Sequence, residues 1–264
     1  MTFEFCSLSS GSSGNCQYLG TDKIRLLIDA GFSGKRIEEL LSSIDVCPKS
    51  LDGILVTHEH IDHIKGVGVL SRRYNIPIYA NENTWGGMED QIGKIGLENI
   101  KTFDTGSYLS MGDLDILPIR IFHDAIEPVG FIVRKGNKKI SIITDTGWMN
   151  DEITGRIKDS DLYFIESNHD IQMLKSGSYP WPLKQRILSI RGHMSNEDTG
   201  RILSKVLKGK GERILLAHLS ADNNIPDLAL KTVGDILANK GIDIGRDIKL
   251  GLSHRDKTTL VYNV

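Results

Sequence analysis

Residues 58–63 read His58-Glu59-His60-Ile61-Asp62-His63, directly after the apolar run 53–57. Four metal-ligand types, His58, His60, Asp62 and His63, therefore fall within six residues. The apolar run reads as a buried strand. Chain leaving a strand end can turn tightly and aim alternate side chains inward, so His58 and His60 can share one ion. Asp62 and His63, across the turn, can serve a second. Neutral imidazole and carboxylate are donors that Zn²⁺, Mn²⁺ and Fe²⁺ accept. The helical HExxH zinc pattern does not apply, because position 62 is Asp and a strand precedes the cluster. Without a cation, charged and imidazole groups packed this densely beside a buried strand would repel or lose solvation.

The cluster leaves two ions short of ligands, and further donors stand where later apolar runs end. His123 follows 119–122, Asp145 follows 140–144 and His218 follows 214–217. Upstream, the run 24–28 ends in Asp29-Ala30-Gly31. Between these points strand and helix alternate. Residues 33–43 have helical spacing, with Ile37, Leu40 and Leu41 on one face; 64–74 is helical and 76–80 a strand. The middle third is strand-rich, at 114–122, 130–134 and 139–144, with a turn at Asn137, and 162–165 follows. Ser195-Asn196-Glu197-Asp198 fits a capping box for a helix reaching about Leu207. Ser220 and Pro226 open another, which ends near Asn239-Lys240-Gly241. Such alternation predicts an α/β (α+β) fold, sheets covered by helices rather than a helical bundle.

Composition narrows the functional classes. A net charge of −2 argues against a protein that coats DNA by bulk electrostatics. Residues 184–213 depart from that average with eight basic residues (Lys184, Arg186, Arg191, Arg201, Lys205, Lys208, Lys210, Arg213) against three acidic ones. This segment is either a solvated helix face or a groove for a polyanion. Apolar runs are strand-sized, short of the roughly 18–20 residues of a membrane helix. The N-terminus has neither a basic nor an apolar leader region. Three cysteines, Cys6, Cys16 and Cys47, form no paired framework, as expected of reduced thiols in a cytoplasmic protein.

The order Asp29, then HxHxDH at 58–63, then His123, Asp145 and His218, resembles the motif set of the metallo-β-lactamase superfamily. That resemblance implies a four-layer αββα sandwich forming one domain over 1–264, with two divalent ions, Zn²⁺, Mn²⁺ or Fe²⁺. It assigns His58, His60 and His123 to one ion and Asp62, His63 and His218 to the other, with Asp145 on both. Asp62 also counts among the catalytic residues. Asp29 becomes a supporting residue that hydrogen-bonds the ligand loop. Two such ions share a water and lower its pKa enough to give hydroxide, the nucleophile, at neutral pH. Lactams, thioesters, lactones and phosphodiesters are all within reach of that chemistry, so other residues set the substrate.

Three features favour phosphodiesters. His193 precedes the capped helix, where backbone N–H groups attract anions and a histidine can protonate a leaving alkoxide. The sequence also resembles the phosphodiesterase branch that includes transfer-RNA 3′-processing nucleases. Its marks here are Gly130-Phe131, the His193 loop and His218-Leu219-Ser220, with Glu166 the candidate that orients the proton donor. Third, the basic segment flanks His193. Several strings are similar to the bacterial YycJ/WalJ group: Ser7-Leu8-Ser9-Ser10-Gly11-Ser12-Ser13-Gly14-Asn15, residues 56–68, Glu166-Ser167-Asn168-His169-Asp170, and Tyr179-Pro180-Trp181 leading into Arg191-Gly192-His193. That likeness implies a DNA-directed 5′→3′ exonuclease; no membrane partner and no tightly bound organic cofactor are expected. No basic, Pro-rich exosite arm lies between Gly147 and Glu166, and the 72 residues between Asp145 and His218 leave no room for a β-CASP insertion.

Weaker candidates complete the reading. The Ser/Gly run 9–15, with Ser13 and Asn15, is either a phosphate cradle or a tight turn between strands. His169 and Arg191 are candidates to touch substrate. Tyr179 and Trp181 either stack on bases or pin a loop, His254 reads as structural, and Trp85 and Trp148 give no signal. Two other functions stay open: a small-molecule hydrolase of the same fold (lactone, thioester or cyclic phosphodiester), in which His193→Ala barely alters ester hydrolysis, and a scaffold that holds metal for folding only.

Overall fold

The computed structural model describes residues 2–264. Strands β1 (Phe3–Ser9), β2 (Cys16–Thr21), β3 (Arg25–Ile28), β4 (Gly53–Leu55), β5 (Ile78–Ala80) and β6 (Ile100–Thr102) come first. Helices α1 (Gly34–Ser42), α2 (Ile61–Ile64), α3 (Val67–Tyr74) and α4 (Glu82–Ile92) alternate with them from β3 onward. Then follow β7 (Leu109–Met111), β8 (Leu114–Arg120), β9 (Val129–Lys135) and β10 (Lys138–Ile143). The last third interleaves α5 (Asp151–Ile157), β11 (Leu162–Glu166), α6 (Ile171–Ser176), α7 (Trp181–Ile187) and α8 (Asn196–Val206). It closes with β12 (Glu212–Ala217), α9 (Pro226–Ala238), β13 (Ile248–Leu252) and β14 (Tyr262–Asn263). The strands form two seven-stranded sheets, ordered β14-β1-β2-β3-β4-β5-β6 and β13-β12-β11-β10-β9-β8-β7.

The chain divides into two compact units. The first runs up to Pro118 and adds Ala125–Val129 and His254–Val264; the second comprises Ile119–Asp124 and Gly130–Ser253. In the first, Leu27, Ile54 and Ile78 of the sheet and Val56 just beyond β4 meet Ile37, Leu40 and Leu41 of α1 and Leu70 of α3 in one buried cluster. Each such side chain stabilises the fold by about 1.5–3 kcal/mol. Strands β3 and β4 are parallel with Ile28 opposite Leu55, so they end at the same edge. The Asp29 N–H then donates to Leu55 O at 2.8 Å. Asp29 and the Thr57-His58 step therefore leave the sheet together.

In the second unit β10, β11 and β12 are parallel neighbours, pairing Ile143 with Ile165 and Glu166 with Ala217. β11 is buried at every position, as expected of a parallel strand covered on both faces. The shared register brings the C-terminal ends of these strands to one edge. Asp145, Glu166 and His218 follow from that alignment.

Most expected elements are present at nearly the expected bounds, including the Ser195 cap, whose Oγ accepts from the Asp198 N–H at 3.1 Å. The helix expected over 64–74 is instead two helices, α2 and α3, broken at Lys65-Gly66. The Gly66 N–H is drawn off to Ala30 O at 2.7 Å, and a Cβ at Gly66 would stand 2.4 Å from Phe32 O. The break is where the chain docks on the loop after β3. The Ser/Gly run 9–15 is the connection between antiparallel β1 and β2. No helix among the described residues is long and apolar enough to cross a membrane.

Candidate metal centre

The HxHxDH stretch turns as its spacing suggests. His60 is the N-cap of α2, and Asp62 and His63 lie in the first turn of that helix. Beneath them Asp29, 1 % exposed, accepts from the Thr57 N–H at 2.8 Å, the Thr57 hydroxyl at 2.8 Å and His63 Nδ1 at 2.7 Å. The Thr57 hydroxyl gives its proton to Asp29, so its oxygen can accept from His58 Nδ1, 3.0 Å away. Both imidazoles are thereby held with a proton on Nδ1 and a lone pair on Nε2, the tautomer a metal requires. His58 Nε2 faces His60 Nδ1 at 3.1 Å, and His63 Nε2 lies 3.0 Å from the Asn15 amide and 3.7 Å from Asp62 Oδ2. A row of imidazole lone pairs beside a carboxylate fits a divalent cation. Burial pushes the Asp29 carboxyl up, against the lowering effect of His63 and the Thr57 bonds.

Asn15 reaches this cluster because residue 31 has no side chain. A Cβ on Gly31 would stand 1.7 Å from Asp62 O and 2.6 Å from Asn15 N, and the Asn15 N–H donates to that same Asp62 oxygen at 2.8 Å. Gly31→Ala must therefore displace the ligand turn. A loss of about 1–3 kcal/mol in urea unfolding, with weakened metal retention, is expected; unchanged midpoint and metal content would count against this packing.

The second unit supplies its own set. One ligand atom from each of Asp145, Glu166, His193 and His218 lies within 4.8 Å of the others. His218 Nδ1 is 3.0 Å from Glu166 Oε1 and 3.1 Å from Asp145 Oδ1, and His193 Nδ1 is 2.7 Å from Glu166 Oε1. The other Glu166 oxygen accepts from the Thr146 N–H at 2.7 Å. Burial alone pushes Glu166 up, but the His193 charge and the bonds from His193 and His218 hold it below the ordinary carboxylate value. For His193 the opposing effects are burial, which lowers it, and the Glu166 charge and hydrogen bond, which win and raise it to about 9. His123 stands with Nε2 at 3.9 Å from Asp145 Oδ1, and burial pushes its imidazole below the usual value in spite of that carboxylate. A neutral His123 is the form a metal takes.

Asp29, Asp145 and His218 all have left-handed backbones, with φ of 59°, 57° and 54°. Each such non-glycine residue costs about 1–3 kcal/mol, strain that recurs here where a strand end must present a donor. Thr57, Thr146 and Asn168, whose amide donates to His218 O at 2.8 Å, are supports that the sequence reading missed. Thr57 adjoins His58 and Thr146 adjoins Asp145, which is a signal in both cases, and Asn168 stands within the 166–170 string.

The weaker candidates fall in different places. Asn15 is buried against His63, whereas Ser13 is exposed. His169 is 1 % exposed, neither ring nitrogen has a hydrogen-bond partner, and burial pushes it down to about 4. Arg191 is exposed. The basic segment is not a uniform groove lining. Lys184 is buried and donates to Lys175 O and Gly177 O, while Arg186, Arg201 and Lys208 pair with Asp124, Asp198 and Asp159. Tyr179 donates to Asp222 at 2.7 Å, and Trp181 is 59 % exposed.

Comparison with known proteins places these residues in a lineage. The model of the β-lactamase superfamily domain matches residues 24–219. The chain is 44 % identical over 250 residues to exodeoxyribonuclease YycJ of Bacillus anthracis, covering 95 % of each chain. It is 45 % identical over 259 residues to exodeoxyribonuclease WalJ of Streptococcus pneumoniae serotype 2, covering 97 % of this chain and 96 % of that one. The crystal structure of the metallo-β-lactamase fold protein YhfI from Bacillus subtilis superposes with a TM-score of 0.76 at 18 % identity over the full length of both, a likeness of fold. The chain thus belongs to the metallo-β-lactamase superfamily and, within it, to the family of YycJ and WalJ.

Proposed function

We propose that this chain is a metal-dependent exodeoxyribonuclease that removes nucleotides in the 5′→3′ direction, acting in the cytoplasm. The observation that carries the hydrolytic part is the His193–Glu166 pair, 2.7 Å apart beside Asp145 and His218. A phosphodiester leaves as a poor alkoxide and needs a proton; a histidine held protonated by a buried carboxylate supplies one. The relatives named exodeoxyribonuclease, at 44 % and 45 % identity, support DNA as the substrate. Unpaired Cys6, Cys16 and Cys47 support a reducing compartment.

The proposed ligands follow the superfamily: His58, His60 and His123 for one divalent ion, Asp62, His63 and His218 for a second, and Asp145 for both. Zn²⁺ and Mn²⁺ suit that donor set, as does Fe²⁺. Bound there, divalent ions supply a water of lowered pKa and polarise the phosphoryl oxygens. Asp29 and Thr57 fix the tautomers of His58 and His63. Glu166 orients His193, and His193 Nε2 delivers the proton to the leaving oxygen. We propose exposed Ser13 and Arg191 as the residues nearest the bound strand and Asn15, beside His63, as the contact at the ligand cluster; His169, 1 % exposed, can act on substrate only through its neighbours.

The test uses protein stripped by chelation and refilled separately with Mn²⁺ and Zn²⁺, incubated with end-labelled single- and double-stranded DNA and RNA. Stripping should abolish activity, and refilling should restore stepwise release of mononucleotides from the 5′ end of DNA, lost again in His193→Ala and Asp145→Ala. Hydrolysis of a small ester or lactone with every polymer intact would instead establish the small-molecule reading.

A further inference from the structure

Trp148 stands three residues beyond Asp145 on a tightly held stretch of chain. The Thr146 hydroxyl donates to Trp148 O at 2.8 Å, and the Gly147 N–H donates to Phe122 O at 3.0 Å. No side chain fits at position 147, where a Cβ would be 2.3 Å from Ser189 O and 2.7 Å from Gly192 N. Residues 146–148 are therefore wedged between the Phe122-His123 step and the 189–193 loop that carries His193. The indole packs against the half-buried Phe122 ring, with centroids 5.1 Å apart and planes at 54°. It nonetheless leaves 48 % of the residue open.

A single exposed apolar side chain is ordinary on a protein surface. This one differs in being backed by another aromatic ring, held by the Thr146 and Gly147 hydrogen bonds, and set on a stretch that packs against the segments carrying His123 and His193. The 189–193 loop on which Gly147 packs also carries exposed Arg191, whose guanidinium has no salt bridge among the described residues, and Ile190, which is 60 % exposed. An open aromatic face, with a cation carried on the adjoining loop, offers what a nucleobase and its phosphate recognise. A protein partner seated on Trp148 would cover the loop of the proton donor. A nucleotide entering the site would not be excluded by it.

Resting on the nuclease reading above, we propose that Trp148 is the platform on which a base next to the scissile phosphate stacks, so that it positions the strand end for His193. Stacking on one base corresponds to roughly a 5- to 150-fold effect, and it belongs to KM rather than kcat. The experiment compares metal-loaded wild type, Trp148→Ala and Trp148→Phe on single-stranded oligonucleotides that are intact or abasic at each of the first three nucleotides. In wild type one abasic position raises KM by about tenfold. Trp148→Ala raises KM on the intact strand by a similar factor and erases the penalty of that abasic position, and Trp148→Phe restores most of it. A Trp148→Ala enzyme that still distinguishes intact from abasic ends, or that loses kcat equally on both, overturns the inference. Wild-type protein that degrades no DNA overturns the nuclease reading, and this inference with it.

Discussion

Alanine at position 193 is expected to lower kcat on DNA by about 10²–10⁴-fold with little change in KM. The magnitude follows from the leaving group. An alkoxide expelled without a proton is far too basic; His193 and His218 both turn Nδ1 to Glu166 Oε1, at 2.7 and 3.0 Å, and with His218 proposed as a metal ligand His193 is left to act through Nε2. The same substitution should cost much less on a bis(p-nitrophenyl) phosphate, whose nitrophenolate departs unprotonated. Single-turnover rates on the two substrates separate loss of proton donation from loss of fold. Equal losses on both would sink the assignment of His193 as the acid.

Glu166→Gln tests the other half of the pair. With Glu166 present, His193 is raised to about 9, so the donor form persists through neutral pH and the rate falls on the basic side. Divalent charge bound nearby pulls an imidazolium down, so in the loaded enzyme the basic limb lies below that value. Replacing the carboxylate with an amide removes what offsets burial, and the limb should move toward or below the ordinary histidine value of about 6.5. Stability has the same sign. A raised folded pKa contributes stability fully present below about 6.5 that is lost as pH rises through about 9. Urea midpoints of metal-free protein between those limits should therefore fall in wild type and stay flatter in Glu166→Gln. A basic limb unmoved by Glu166→Gln would remove the carboxylate from the mechanism.

How much of this was legible in the sequence depends on which physics wrote each feature. The donors stand at strand ends because parallel strands buried on both faces read as continuous apolar runs, and a polar residue closing such a run is conspicuous. Asp29, Asp145 and His218 are visible for that reason. The capped helix α8 is visible through Ser195. Conformation is another matter: nothing in the letters announces that these three donors have left-handed backbones, or that Lys184 is buried on main-chain carbonyls rather than lining a groove. The break between α2 and α3 was illegible too, since Gly66 is tolerated in a helix and only its docking on Ala30 and Phe32 forces the interruption. Trp148 gave no signal because its meaning lies in the packing of Gly147 against Ser189 and Gly192.

Asp29→Ala and Asp29→Asn should separate what this residue does for folding from what it does for the metal. Alanine removes a buried carboxylate that accepts three hydrogen bonds and strands the His63 and Thr57 donors without water. A loss of about 3–5 kcal/mol is expected, with metal affinity reduced about 10–100-fold. Asparagine keeps the size, and it tolerates the φ of 59° at this position better than most residues. One amide oxygen can still accept from the Thr57 N–H, the bond made at 2.8 Å by Asp29 Oδ1. The amide nitrogen then occupies the place of the oxygen that received His63 Nδ1 at 2.7 Å. Two donors cannot face each other, so His63 must move its proton to Nε2 and its lone pair to the inner side, where a metal cannot use it. Asp29→Asn should therefore unfold near the wild-type urea midpoint while retaining metal at least tenfold less tightly, measured by calorimetric titration and by metal content after dialysis. Wild-type metal affinity in Asp29→Asn would show that Asp29 merely fills space, because the tautomer of His63 would then be set by something other than this carboxylate.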